Sequence, residues 1–541
     1  MTPSVTNLAE EPSSQSEYDC PGHRTSEHNG PLAKWDFLIL ALLLIAWGFL
    51  VGPIVVDEHL HGYDIFREAG MGESIKYRSV LSDPAYPNAS LWYPPLGTLS
   101  MAWIASVFGT SVEACFSWSQ LLFNWLIPGG LFLVVRSAWG RRAGVFAALA
   151  LLFAMPWWQC EVAHGQPSIH AVIIGFVSLA MIARAERSKK RIETAATGVF
   201  VGMTMWHHPL IPCFLMCLLT AHALWRSRTA RPLYVASIIK LPSMQIVWIA
   251  ALVGAPLLWQ ILHGPVRNDT PRTYFAAELR TIEFALMGGH PWILLVGILG
   301  IGVAVRECRS ANERLVLALI LAGIFQIPAY VRDLAPNWGH WLPTIVPHEF
   351  QRLFQLAWAI AVGIGSSHLI IWLCRRISNR GMNALLYAAC AGFILFPGVL
   401  HTQKNLRRFL TFDYTEERSP ATVKWILQNT DPEDVFICTS ELAFQWLIPS
   451  TGRRAWILPP GHSNPRVDWL ARNQVFQAMR NVESGKDLRD LCLAYELDYV
   501  ISSGDWVPAA LHEDNRAESV PSHFSVVATD ATGIMIFEPL P

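Results

Sequence analysis

The most chemically loaded stretch of the chain runs from Val55 to Leu96, VVDEHLHGYDIFREAGMGESIKYRSVLSDPAYPNASLWYPPL. Asp57 and Glu58 stand at the exit of a long apolar run, Trp35 to Val56, and His59, His61, Asp64, Arg67 and Glu68 follow directly. On a helix Asp57, His61, Asp64 and Glu68 fall at i, i+4, i+7 and i+11, which is one face. Carboxylates this near hydrocarbon meet a low dielectric, and their pKa values are easily raised. Such a group can act as a general base or orient an acceptor hydroxyl. The plain alternative is an acid pair at a helix end that meets water. Against it stands the polar run behind the pair, since a merely solvated loop has no need of so many ionisable groups beside lipid.

Three further groups could do chemistry. In WWQCEVAHGQ, Trp157 to Gln166, Glu161 is the only acid and His164 lies three residues on, so the two could cap the Asp57 cleft or belong to a solvated turn. His207-His208-Pro209 joins two apolar runs with almost no loop. Two imidazoles there could bind a phosphate when protonated, hold a metal, or be satisfied polar groups of the core. Arg267, Arg272, His290, Arg332, His340, His348, Glu349 and Arg352 form a basic set late in the chain. Arg352 stands inside an apolar run, which is costly unless it pairs with Glu349 or a ligand phosphate. Arg267 and Arg272 could equally snorkel to headgroups. A basic lining opposite an acidic cleft suits a leaving group that is a phosphate.

These residues need a scaffold, and composition says what kind. Of 541 residues, 52% are hydrophobic and only 15% charged, against about 25% charged in a soluble domain. The apolar excess lies in runs of bilayer-spanning length. Besides the first run they are roughly 116–135, 143–158, 169–183, 195–206, 209–225, 238–262, 292–305, 315–331, 350–374 and 382–400, about eleven crossings in all. The fold class expected is therefore a polytopic α-helical membrane protein. A net charge of −1 argues against a nucleic-acid partner. The ten cysteines show no zinc spacing and no disulfide framework. No P-loop, dinucleotide glycine motif or nucleophile elbow is present.

Loop charge orients the spans. Arg136, Arg141 and Arg142, then 184–191, 226–231, 306–314 and 375–380 are basic, and the positive-inside rule puts them in the cytoplasm. Every loop obeys only if Leu96–Gly109, short and preceded by Pro94-Pro95, lies at the interface without crossing. The expected layout is a disordered cytoplasmic tail at 1–33, a transmembrane part at 34–401 whose outer loop 57–115 carries juxtamembrane helices, and a soluble domain at 402–541 outside. In that last piece the runs 435–439 and 498–502 read as strands, 422–428 and 467–480 as helices, and 524–528 with 533–537 as a hairpin, giving a small α/β or α+β domain.

The order of features resembles the membrane-embedded C-type (GT-C) glycosyltransferases that use polyprenyl-phosphate sugars, among them the aminoarabinose transferase of lipid A, protein O-mannosyltransferases and oligosaccharyltransferases. The resemblance rests on Asp57 at the exit of the first span, and on Trp92-Tyr93-Pro94-Pro95-Leu96 opening a juxtamembrane helix that ends in Phe108-Gly109. It continues through Arg136 to Gly144 (RSAWGRRAG), an acidic second outer loop around Glu161, and a soluble C-terminal domain. It implies a glycosyltransferase of the inner, plasma membrane, with its N-terminus cytoplasmic and its C-terminal domain outside. Asp57 would act on the acceptor, with Glu58 beside it and Glu161 in support. His61, Asp64, His164, His207, His208, Arg267, Arg272, Glu349 and Arg352 are the substrate-binding candidates. The partners implied are a polyprenyl-phosphate sugar donor, a lipid, glycan or protein acceptor, and membrane lipids. Glu161 has no neighbouring acid, which favours a metal-independent reaction without a cofactor. A polysaccharide polymerase or ligase would place its main polar loop late in the chain. A lipid-linked glycan transporter would want internal repeats and mid-membrane charge; neither pattern is present.

Overall fold

A computed structural model describes residues 32–56, 63–80, 82–91, 93–155, 167–208, 210–229, 238–263, 291–325, 347–376, 381–382, 385–394, 420–438, 447–448, 450–458, 463–464, 466–502, 523–531 and 533–541. Helix α1 (Lys34–Val56) is the first apolar run. Three short helices follow, α2 (Tyr63–Ser74), α3 (Leu96–Phe108) and α4 (Val112–Leu122). The bundle continues with α5 (Leu126–Ala154), α6 (Pro167–Ser188), α7 (Arg191–Met205), α8 (Leu210–Thr229), α9 (Pro242–His263), α10 (Pro291–Glu307), α11 (Ala311–Phe325), α12 (Pro347–Arg376) and the shorter α13 (Leu385–Ile394). Proline at the first helical position starts α6, α9, α10 and α12; there its missing N–H costs nothing and its fixed φ suits the helix. Ser310 and Glu313 start α11 with a capping box: the Ser310 hydroxyl accepts from the Glu313 N–H at 3.1 Å, and the Glu313 carboxylate accepts from the Ser310 N–H at 2.7 Å.

Among the described residues three helical stretches are long and apolar enough to cross a membrane: Val112–Ala154, Ile169–Ser188 and Leu353–Arg376. The first is not one rod. Gly140 breaks α5 at φ 86°, ψ 167°, and a Cβ on Gly144 would lie 2.7 Å from the Phe132 carbonyl. The halves of α5 therefore run antiparallel, and the chain reverses within Arg136 to Arg142, where the basic turn was expected. Asp36 of α1 is buried against this turn, 2.8 Å from Arg136 and 2.8 Å from Arg141. Removing one partner of such a buried ion pair typically costs about 3–5 kcal/mol.

Helix α12 is the axis of the bundle. Its residues from Leu353 to Ser367 are buried, and it packs on α5, α10 and α11. Glycines permit the closest approach: a Cβ on Gly300 of α10 would sit 1.8 Å from the Ala361 carbonyl oxygen of α12, and one on Gly365 would sit 2.1 Å from that of Val296. Small residues at helix contacts are how packing holds membrane bundles together. The outer surface is the reverse of a soluble one, with Phe49 80%, Leu252 72% and Leu295 67% exposed, as a lipid-facing wall would be.

Beyond α14 (Pro420–Asn429) lies a five-stranded sheet, β1 (Val435–Cys438), β2 (Arg454–Ala455), β3 (Tyr499–Ser502), β4 (Phe524–Thr529) and β5 (Met535–Pro539), with α15 (Trp469–Asn481) and α16 (Gly485–Ala494) inserted before β3. The strand order is β2-β1-β3-β5-β4. The first three strands are parallel and the β4–β5 hairpin is antiparallel. The expected strands and hairpin are present; β2 and α16 are additions. β2 is too short for an alternating pattern, and its buried residues include Arg454.

Candidate functional site

The three short helices make an apolar knot. Ile65, Phe66 and Ala69 of α2 pack on Met101, Ala102 and Ala105 of α3 and on Val112, Cys115 and Phe116 of α4. Helix α3 ends at Gly109 in the left-handed conformation, φ 63°, as a helix stop favours. Its other face stays bare, with Trp103 and Phe108 exposed. Thirteen residues long and bare on one side, α3 is shorter than a bilayer-spanning helix needs to be.

Polar side chains gather where this knot meets the bundle. Glu68 of α2 is fully buried. It accepts a hydrogen bond from the Thr98 hydroxyl at 2.8 Å and pairs with Arg67 at 2.7 Å. The Arg67 guanidinium lies 4.5 Å over the Tyr93 ring, a cation–π arrangement that strengthens when desolvated. Tyr93 meets His208 edge-on at 6.3 Å, His207 meets His170 of α6 at 6.3 Å, and His170 stacks on Phe116 at 6.5 Å. The Leu96 N–H donates to the Trp206 carbonyl at 2.8 Å, joining the start of α3 to the α7–α8 turn that carries both histidines. Burial, followed by the neighbouring imidazoles, pushes His207 down to about 3, so it stays neutral at physiological pH.

A second polar constellation ties residues 78–90 to the sheet. Arg78 pairs with Glu433 at 2.7 Å and donates to the carbonyls of Pro84, Gly452 and Pro432. Arg454 of β2 also pairs with Glu433 at 2.7 Å and donates to the carbonyls of Asp83 and Tyr86. Asp83 accepts from the Ala85 and Tyr86 N–H groups and from the Asn464 amide. The Ala455 N–H donates to the Ala85 carbonyl at 3.0 Å, so the loop covers the open edge of β2. Tyr86 is buried in the sheet's own core; its hydroxyl accepts from the Leu458 N–H at 3.0 Å, and burial raises it to about 12. Burial likewise raises Asp83 and lowers Arg78 from their ordinary values.

Of the residues expected at the site, the structure brings His207 and His208 to this rim. Asp64 lies on α2 one turn before Glu68, and Glu349 and Arg352 lie in the first turns of α12. Asp57, Glu58, His61, Glu161, His164, Arg267 and Arg272 lie outside the described residues. Glu68, expected on one helix face with Asp57, His61 and Asp64, is buried on α2. His170, Thr98 and the Arg78–Glu433–Arg454 clamp were not foreseen. Lone polar residues on apolar helices carry no periodic signal, and the clamp joins residues more than 350 positions apart. Among the described residues no cluster of three or more His, Cys, Asp or Glu could hold a metal ion.

No family model matches the chain, and no curated protein matches it by sequence. Solved structures do match by fold. ArnT from Cupriavidus metallidurans in the apo state aligns with a TM-score of 0.58 at 15% identity, covering 93% of this chain and 97% of that one. The same protein bound to undecaprenyl phosphate aligns at 0.50 and 16%, covering the same shares. The Archaeoglobus fulgidus oligosaccharyltransferase aligns at 0.55 and 12% identity, covering 87% of this chain and 69% of that one. The mycobacterial arabinofuranosyltransferase AftD aligns at 0.55 and 12%, and there the chain spans only 40% of the other protein. The short-helix knot, the bundle around α12 and the sheet pinned to residues 78–90 thus together form a fold shared with ArnT and with the Archaeoglobus fulgidus oligosaccharyltransferase.

Proposed function

We propose that the chain is a glycosyltransferase that moves a sugar from a polyprenyl-phosphate carrier to an acceptor on the outer face of the membrane. The observation that carries this is fold likeness running over nearly the whole of this chain and of ArnT, a protein also solved with undecaprenyl phosphate bound. The buried Glu68–Arg67–Tyr93 group on the same outer loop supports it. In this reading about eleven helices cross the plasma membrane, the N-terminus is cytoplasmic, and residues 402–541 sit outside.

The reaction is a single displacement at the anomeric carbon. The acceptor hydroxyl or amine gives its proton to Asp57 as it attacks, and the lipid phosphate leaves with the bonding electrons. Glu58 and Glu161 hold the acceptor and the charge around Asp57; His61, Asp64 and His164 flank it. A positioned base is worth about 10²–10⁴-fold in rate. Phosphate is already a good leaving group, so charge stabilisation is the larger remaining contribution. Because burial keeps His207 neutral, that charge comes from Arg267, Arg272 and Arg352. The reaction proceeds without a metal, so chelator leaves the rate unchanged.

The test offers the purified protein, in lipid nanodiscs, a panel of radiolabelled undecaprenyl-phosphate sugars with membrane extract as the acceptor source. The expected result is release of undecaprenyl phosphate and capture of label from at least one donor. Failure of every donor to bind or turn over would remove the proposal.

A further inference from the structure

Buried polar atoms are satisfied in the great majority of cases, and each orphan costs about 1–3 kcal/mol. Two imidazoles at the site break that rule side by side. His170 Nε2 and His207 Nδ1 have no hydrogen-bond partner, and each residue is only 6% exposed. Their rings are 6.3 Å apart. One turn along α4 from Phe116, the ring on which His170 stacks, both amide atoms of Gln120 are also buried and unpartnered. Nothing in packing explains three such groups in one neighbourhood, because leucine or phenylalanine would fill the same volume without the penalty.

We propose that His170 and His207 form a sugar-hydroxyl subsite, their ring nitrogens hydrogen-bonding a glycosyl ring seated beside Phe116, Tyr93 and His208. This deepens the transferase reading above and rests on it. The chemistry matches the walls: aromatic faces with a few convergent polar atoms are what a site for a hydroxylated ring requires. A neutral imidazole offers one donor and one acceptor, which suits a hydroxyl better than a phosphate, and the low value at His207 agrees with that choice. The hydroxyls could belong to the sugar of the donor or to a glycan acceptor, and the experiment separates the two.

Full-length protein in nanodiscs is compared with His170→Phe, which keeps the stack on Phe116, and with His207→Leu. The probes are bare undecaprenyl phosphate and the undecaprenyl-phosphate sugar that wild type turns over. If the subsite holds the donor sugar, both variants bind bare lipid within twofold of wild type and lose tenfold or more in affinity for the sugar-charged lipid. If it holds the acceptor, donor affinity is unchanged and the acceptor KM rises tenfold or more. His170→Gln, which keeps a hydrogen-bonding group, recovers part of either loss. Unchanged donor affinity together with unchanged acceptor KM overturns the subsite, as does an equal loss of bare-lipid binding, which would mark a phosphate contact. A wild type that handles no charged lipid overturns the transferase reading itself, a different outcome from an active wild type with indifferent variants.

Discussion

Arg78 shows how much one side chain can organise. Its guanidinium satisfies three carbonyls and one carboxylate drawn from both ends of the chain. Arg78→Met keeps the stem and leaves those carbonyls without their donor, at about 1–3 kcal/mol; thermal unfolding should shift down by several degrees and protease should cut within residues 76–91. Glu433 gives the clamp a pH dependence of known sign. Burial pushes its carboxyl up, but hydrogen bonds from Arg454 and Arg78 outweigh that and hold it below its ordinary 4.5. The folded state thus favours the ionised form. Its contribution is fully present above pH 4.5 and is lost as pH falls through the lowered folded value. Asp83 is shifted the other way by burial and gains as pH falls, so the comparison is with Glu433→Gln. The hydrogen-exchange protection of residues 76–91 should fall as the pH drops below 4.5 in the parent and change less in Glu433→Gln. Residues at this scale were only partly legible: the His207-His208 pair stood out by its place between two apolar runs, whereas Arg78 and His170 depend on partners the sequence does not place near them.

Elements were more legible, because helix boundaries are written in local chemistry. Prolines at first helical positions, the Ser310–Glu313 box and Gly109 as a helix stop are all readable from the chain. So was the short α3, expected at Leu96–Gly109 and found at Leu96–Phe108. The tight turn inside α5 was legible as a basic loop but not as a glycine in the region that glycine alone adopts freely. Gly140→Ala should cost about 1–3 kcal/mol, read as a lower melting temperature in detergent. The α10–α12 contact supplies its own control. Gly300→Ala drives a methyl into the Ala361 backbone, while a Cβ on Gly302 meets nothing within 4 Å. Gly300→Ala should therefore lower folded yield sharply, and Gly302→Ala should leave it unchanged or slightly raised, as helix propensity favours alanine.

Among the described residues, the sheet and the helical bundle are coupled through the segment 63–96. That segment passes α2 and Glu68, enters the core of the sheet at Ala85 and Tyr86, and returns to the bundle at Leu96. A chain ending at His401 would leave Tyr86 and Ala85 without the core that buries them; it should insert in membranes yet lose transfer because residues 78–91 no longer hold the loop. Activity retained by that truncation would show that the sheet serves only to recruit partners. The helical bundle was visible in hydropathy because bilayer length is a severe constraint on sequence, while the coupling of the bundle to the sheet was not, because it is made by contacts distant along the chain.

The central claim is that Asp57 takes the acceptor proton while the lipid phosphate departs. Its most direct test is transfer of labelled sugar from the undecaprenyl-phosphate donor by wild type and by Asp57→Asn, with donor binding measured alongside. The expected result is unchanged donor affinity with transfer reduced about 10²–10⁴-fold. Transfer by Asp57→Asn at the wild-type rate would contradict the role given to that carboxylate.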